Sequence, residues 1–162
     1  MDHRRITVGI DYGVRRCAVV CPQTSSFWDI ELPPGDIVSA LDAMHDFVFS
    51  TISSLDGKPR FVSVEAPIVG LSRNLRTGLH LSMVAGALAV AARQTGAPTE
   101  FVEPSTWKKA VVGRGNADKT QVAQWLAQQR PELFKKATNQ DLVDACCIAF
   151  YGEQRLGTQG AM

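Results

Sequence analysis

The sequence has only three histidines, His3, His45 and His80, and none lies near its four cysteines. Cys17 and Cys21 are spaced C-x3-C, and Cys146 and Cys147 are adjacent, so the C-x2-C spacing of a zinc knuckle is missing. The cysteines read instead as small buried apolar residues of a reducing compartment. Long hydrophobic runs are also lacking. The most apolar stretch, from Leu79 to Ala92, is bounded by Arg76 and Arg93 and interrupted by His80 and Ser82. Spanning a bilayer takes roughly 20 apolar residues. The start, MDHRRITVGI, passes straight from charges into a β-branched run, without the longer apolar region and cleavage site of a signal peptide. A cytoplasmic protein with no membrane segment is expected. Neither charge sign is in excess: 17 Lys and Arg stand against 16 Asp and Glu. That balance excludes nucleic-acid binding by bulk charge alone, yet leaves room for a local basic face. Repeats, low-complexity stretches and linkers are absent, so one domain over residues 1–157 is expected, with a short tail at 158–162.

What is present is a run of short strands followed by alternating helices and strands. Residues 6–11 are β-branched and end at Tyr12-Gly13, residues 17–21 end at Pro22, and residues 26–32 end at Pro33-Pro34-Gly35. Their short separations predict antiparallel neighbours. Asp36 caps a helix whose apolar positions Ile37, Leu41, Met44, Phe47 and Ile52 keep helical spacing. Strands over 60–65 and 99–102 flank a long helix over 74–95, and helical pieces follow near 105–112, 116–129 and 139–156. The order predicts an α/β fold: a mixed five-stranded sheet with helices on both faces. Right-handed crossovers then give the strand order 3-2-1-4-5, with strands one and four side by side.

That order brings two acids together. Asp11 ends the first strand and Glu65 the fourth, each in an otherwise apolar segment, ITVGIDYG and FVSVEAP. Paired acids cost stability unless a cation neutralises them. The competing use of such residues is as turn or helix caps. Asp141 and Asp144 lie three apart at the start of the last helix, so they share a face. Acids there also complement a helix dipole, but Asp144 borders the buried run ACCIAF. Four acids without His or Cys companions point to an all-oxygen site suited to Mg²⁺ or Mn²⁺. Paired hard cations stabilise the attacking and leaving oxygens of a phosphodiester displacement.

The charge is divided along the chain. Residues 1–57 carry four basic and eight acidic residues. Residues 58–80 carry Lys58, Arg60, Arg73 and Arg76 against Glu65. Residues 104–136 carry Lys108, Lys109, Arg114, Lys119, Arg130, Lys135 and Lys136 against Asp118 and Glu132. The two basic segments follow the fourth and fifth strands, on the same edge as the acids, and a basic rim around an acidic centre suits a polyanionic substrate. Within the rim, VGRGNADK runs from glycines into a helix start, whose free N–H groups can meet a phosphate. The Walker A spacing is missing. Trp107 and Trp125 read as core or partner contacts rather than base-stacking platforms. The helix over 74–95 is apolar all round, so it is buried on more than one side. A second copy of the chain is the expected cover for its outer side.

GIDYG at 9–13, VEAPIVGLSRN at 64–74, WKKAVVGRGNADKTQV at 107–122 and DLVDACCIA at 141–149 together resemble the RuvC family of Holliday junction resolvases. The resemblance covers nearly the whole chain in the family's order. It implies a ribonuclease H-like fold and a homodimer that cuts a four-way DNA junction symmetrically, using Mg²⁺ or Mn²⁺ in a two-metal site. Carried over by position, the metal-holding catalytic acids are Asp11, Glu65, Asp141 and Asp144, and Lys119 is a catalytic cation. Lys108 matches a lysine near the scissile strand. Lys109, Arg114, Arg73, Arg76 and Ile68 are expected among the DNA contacts, and the helix over 74–95 matches the dimer helix. The products implied are a 5′-phosphate and a 3′-hydroxyl.

Two positions depart from the family's pattern. Tyr12 stands where GIDPG has proline, and Ile68 stands where well-studied members have a base-contacting aromatic ring. The loss of that ring implies tolerance of forks and flaps beside four-way junctions, as in phage-encoded members. The opening DYGVRR also resembles the YqgF group of RNA-processing nucleases, which lacks the VVGxGxAxKxQV segment. Sugar kinases share GIDxG but need two such domains. A junction-binding protein without cleavage is a further alternative, against which stand all four acids.

Overall fold

The computed structural model describes residues 5–68 and 74–160. Alternation along the first strand decides the layering. In β1 (Thr7–Tyr12), Val8 and Ile10 face one side and Thr7, Gly9 and Asp11 the other. The chain continues through β2 (Arg16–Cys21), β3 (Ser26–Glu31), α1 (Ile37–Ser53), β4 (Phe61–Glu65), α2 (Leu75–Gln94) and β5 (Thr99–Val102). It ends in α3 (Pro104–Val111), α4 (Lys119–Gln129), the short α5 (Pro131–Phe134) and α6 (Gln140–Gly160). The sheet has the order β3-β2-β1-β4-β5, as the crossover rule predicts. β1 pairs antiparallel with β2 and parallel with β4.

Each face of the sheet has its own core. On one side Val8, Ile10, Cys17, Val19, Cys21, Val62 and Val64 pack under α1 and α2. On the other, Ala18, Val20 and Val102 pack under α3, α4 and α6 through Trp107, Leu126, Cys146, Cys147 and Ile148. All four cysteines are free and buried. α6 runs along β1, and Gly9 is what admits it: a Cβ there would meet the Ala145 carbonyl. The Thr7 hydroxyl donates to the Ala149 carbonyl at 2.9 Å, fastening the pair.

Several boundaries differ from the sequence expectation. α6 continues to Gly160, past residue 156 and through residues expected in a tail. α5 and a single 3-10 turn at Pro22–Thr24 interrupt segments read as loops; prolines open both, where a missing N–H costs nothing. Within one chain, α2 is buried on one side only. Gly78, Val84, Ala85, Leu88, Ala91 and Ala92 pack inward, against α1, β4 and β5. Leu75, Leu79, Met83 and Val90 stay exposed. By length and a mean hydropathy of 1.4, α2 passes as a membrane span, but its inner face is committed to the core.

Candidate active site

The site grows from strand register. Ile10 pairs with Val64 in the parallel β1–β4 ladder, so the next step sets Asp11 beside Glu65. Adjacent parallel strands lie about 4.8 Å apart, and paired positions share a face. That face is the α6 side, because Phe61 and Ser63 of the same register approach Gly152 of α6. α6 begins at the end of β1 where Asp11 sits and brings Asp141 and Asp144 there. The sequence expectation of four converging acids therefore describes a charge cluster that the fold builds.

Electrostatics bear out the crowding. Asp11 is 8% exposed. Burial pushes its carboxyl well above the usual range, and Glu65, Asp144 and Asp141 add repulsion in the same direction. Burial also raises Glu65, opposed by a hydrogen bond from Trp107 and by Lys108. Asp144 is raised by burial and opposed by Gln140, Lys108 and Lys119. Lys108 thus acts on both Glu65 and Asp144, and Lys119 on Asp144.

Each acid except Asp11 has a side-chain partner. The Trp107 indole N–H donates to Glu65 Oε2 at 2.9 Å. The Gln140 amide donates to Asp144 Oδ1 at 2.8 Å. Arg16 Nε lies 3.0 Å from Asp141 Oδ2. The Tyr12 hydroxyl, at the position where proline is usual, donates to the Glu65 main-chain oxygen at 2.8 Å. Sequence reasoning assigned no role in the site to Arg16, Gln140 or Trp107. Gln140 was detectable from its place four residues before Asp144. Arg16 was detectable only from strand pairing, and Trp107 only from the fold.

Among the described residues, no three His, Cys, Asp or Glu side chains are set close enough to hold a metal ion as they stand. The donor set nonetheless fits one. It is all oxygen, it is anionic, and its mutual repulsion is what an unneutralised cation site displays.

The remaining expectations divide. Lys109, Arg114, Lys119 and Arg76 are exposed around the site's basic segments, and Lys108 is half-buried. Ile68 is exposed at 44%. Arg73 lies outside the described residues. The glycine loop before α4 is not a vacant phosphate cradle. Asp118 already accepts from the Gln121 N–H at 2.8 Å, and the Gln121 side chain accepts from the Asp118 N–H at 3.0 Å. This capping box places a carboxylate where the phosphate would sit.

The likenesses to known proteins agree with this geometry. The family described as "Crossover junction endodeoxyribonuclease RuvC" matches residues 7–151. A Shewanella woodyi protein of that description is 33% identical over 166 residues, covering 96% of this chain and 92% of its own. A Protochlamydia amoebophila relative is 37% identical over 92 residues, and a Chlorobium phaeobacteroides relative 34% over 104. The chain spans about half the length of these two, 53% and 54%. The structure of Thermus thermophilus RuvC in complex with Holliday junction substrate superposes with a TM-score of 0.75 at 21% identity. It covers 96% of this chain and 98% of that one, and so shares its fold. A matched segment holding all four acids, on this sheet order, settles membership: the chain belongs to the RuvC family of crossover junction endodeoxyribonucleases.

Proposed function

We propose that the chain is a structure-selective DNA endonuclease that cuts four-way junctions, and also forks and flaps, by divalent-metal-dependent phosphodiester hydrolysis. The observation that carries this reading is the side-by-side placement of Asp11 and Glu65 opposite the Asp141/Asp144 end of α6, inside the family-matched segment.

Asp11, Glu65, Asp141 and Asp144 would hold Mg²⁺ or Mn²⁺. Such ions supply an activated water and charge neutralisation at the phosphate. Asp11 is the most buried of the four and closes the floor of the site. Lys108 and Lys119 draw the scissile phosphate toward the acids. Lys119 then offsets the charge that develops on the phosphate oxygens. Arg76, Lys109 and Arg114 contribute a sequence-independent grip on flanking phosphates. Ile68 offers an apolar contact where relatives present a ring, which relaxes base stacking at the branch point. The products are a 5′-phosphate and a 3′-hydroxyl.

Symmetric cutting requires two copies. The exposed Leu75, Leu79, Met83 and Val90 of α2 form an apolar surface suited to an isologous homodimer. The reaction belongs in the cytoplasm, where branched DNA and reduced thiols coexist.

The test is a substrate panel. Labelled junctions, forks, flaps and duplexes are incubated with the protein, with and without Mg²⁺ or Mn²⁺, beside Asp144→Asn. Metal-dependent nicking of branched DNA that disappears in the variant is the expected result. Nicking that survives in Asp144→Asn removes the proposed site. Binding of junctions without any nicking favours a non-cleaving binding protein. Cleavage of single-stranded RNA alone favours the YqgF-like alternative.

A further inference from the structure

The geometry points to Trp107 as a positioning residue that fixes the orientation in which the Glu65 carboxylate meets a cation. The inference rests on the proposed reading of Glu65 as a metal-holding acid. It concerns how this chain, in particular, prepares that acid.

Three observations converge. Trp107 is fully buried within the core beneath α3, α4 and α6, so its ring is held by packing on every side. Its Nε1 can only donate, and it donates to Glu65 Oε2 at 2.9 Å. Among the described residues, no other side-chain hydrogen bond reaches that carboxylate. The Tyr12 hydroxyl fixes the Glu65 main chain at 2.8 Å from the carbonyl oxygen. Glu65 is therefore gripped at both ends, by a strand neighbour and by a core side chain.

The chemistry follows from the donor count. A carboxylate whose Oε2 accepts from a buried N–H is held in one orientation before any ion arrives, with Oε1 free of side-chain hydrogen bonds among the described residues. Outer partners of this kind orient metal-binding side chains. A mere core residue at 107 would need no N–H. Phenylalanine or leucine would fill the space and leave Oε2 unpaired in a buried site, which is costly.

The experiment measures Mn²⁺ binding to the full chain without DNA, by calorimetry and by the spin-resonance signal of free Mn²⁺. It compares wild type, Trp107→Phe, Glu65→Gln and the double variant. Loss of the N–H is expected to weaken Mn²⁺ binding by about 10-fold or more, the usual range for an outer partner. In the Glu65→Gln background the same change should add less than about 2-fold, because Trp107 acts through Glu65. Equal weakening in both backgrounds, or none in either, overturns the inference. If Glu65→Gln itself binds Mn²⁺ like wild type, the metal role of Glu65 falls, and this inference with it. A second measurement does not depend on Trp107→Phe folding. The indole N–H resonance of Trp107, assigned with Trp28→Phe and Trp125→Phe proteins, should shift on Mg²⁺ titration and stay fixed in Glu65→Gln. A resonance unmoved by saturating Mg²⁺ in the wild-type chain also overturns it.

Discussion

Gly9 of β1 lies so close beneath Ala145 of α6 that a Cβ on it would stand 2.0 Å from the Ala145 carbonyl oxygen and 2.4 Å from the Ala149 nitrogen. Neither backbone atom can step aside without moving the helix. Because α6 also carries Asp141 and Asp144, one contact sets both packing and site geometry. Gly9→Ala should destabilise the chain by about 1–3 kcal/mol and displace α6 from the strand ends. A lowered melting temperature together with weakened metal binding is the expected result. A variant with wild-type stability would show that the approach is looser than described.

Protons and metal should stabilise the chain by relieving the same repulsion. Asp11, Glu65 and Asp144 are all raised above their ordinary values, first by burial. The folded state therefore binds protons more readily than the unfolded state. Their contribution is fully present below the ordinary carboxylate range, around pH 4, and is lost as pH rises through the raised folded values. Without divalent metal, the melting temperature should rise on moving from neutral pH toward about pH 5. Saturating Mg²⁺ should raise the neutral value and flatten the profile. Melting curves that fall steadily on acidification, with chelator present, would contradict the assigned crowding.

Lys119 is exposed at the start of α4 yet acts on Asp144 across the site. Lys119→Ala should slow cleavage by roughly 10²-fold, the scale for removing one stabilising donor. Junction affinity should change far less, since one phosphate contact among several is lost. Single-turnover rates and binding titrations separate the two. A fall in affinity equal to the whole fall in rate would remove Lys119 from the chemistry.

The outer face of α2 should govern assembly. Met83 is 47% exposed among other apolar residues, so Met83→Glu places a charge there without disturbing the inner face. Sedimentation should report a dimer for the wild-type chain and a monomer for the variant, both folded. A variant that remains dimeric would move the interface elsewhere.

The sheet order was legible because strand length, turn residues and crossover handedness leave few arrangements. Asp11 and Glu65 were legible for the same reason: each sits at a strand end, and the order made those ends neighbours. Partners were less so. Trp107 reads as core in the sequence and is core in the structure, but its one polar atom finds Glu65 only through the placement of α3 against β4. Arg16 meets Asp141 across 125 positions of sequence, a distance that no local pattern bridges. The capping box at Asp118 is written plainly as D-x-x-Q beside glycines that also fit a phosphate loop. Composition marked α2 as apolar all round but did not say which face packs on the sheet; the structure assigns that to Gly78, Val84, Ala85, Leu88, Ala91 and Ala92.

The cysteines divide evenly between the two layers, Cys17 and Cys21 on the α1/α2 side and Cys146 and Cys147 on the α6 side. Each layer thus carries its own internal clock for opening. A thiol reagent applied to the native protein labels a pair only when its layer comes away from the sheet. The order in which the two pairs react reads out which side of the molecule loosens first, and whether a metal ion bound among the acids slows the α6 side alone.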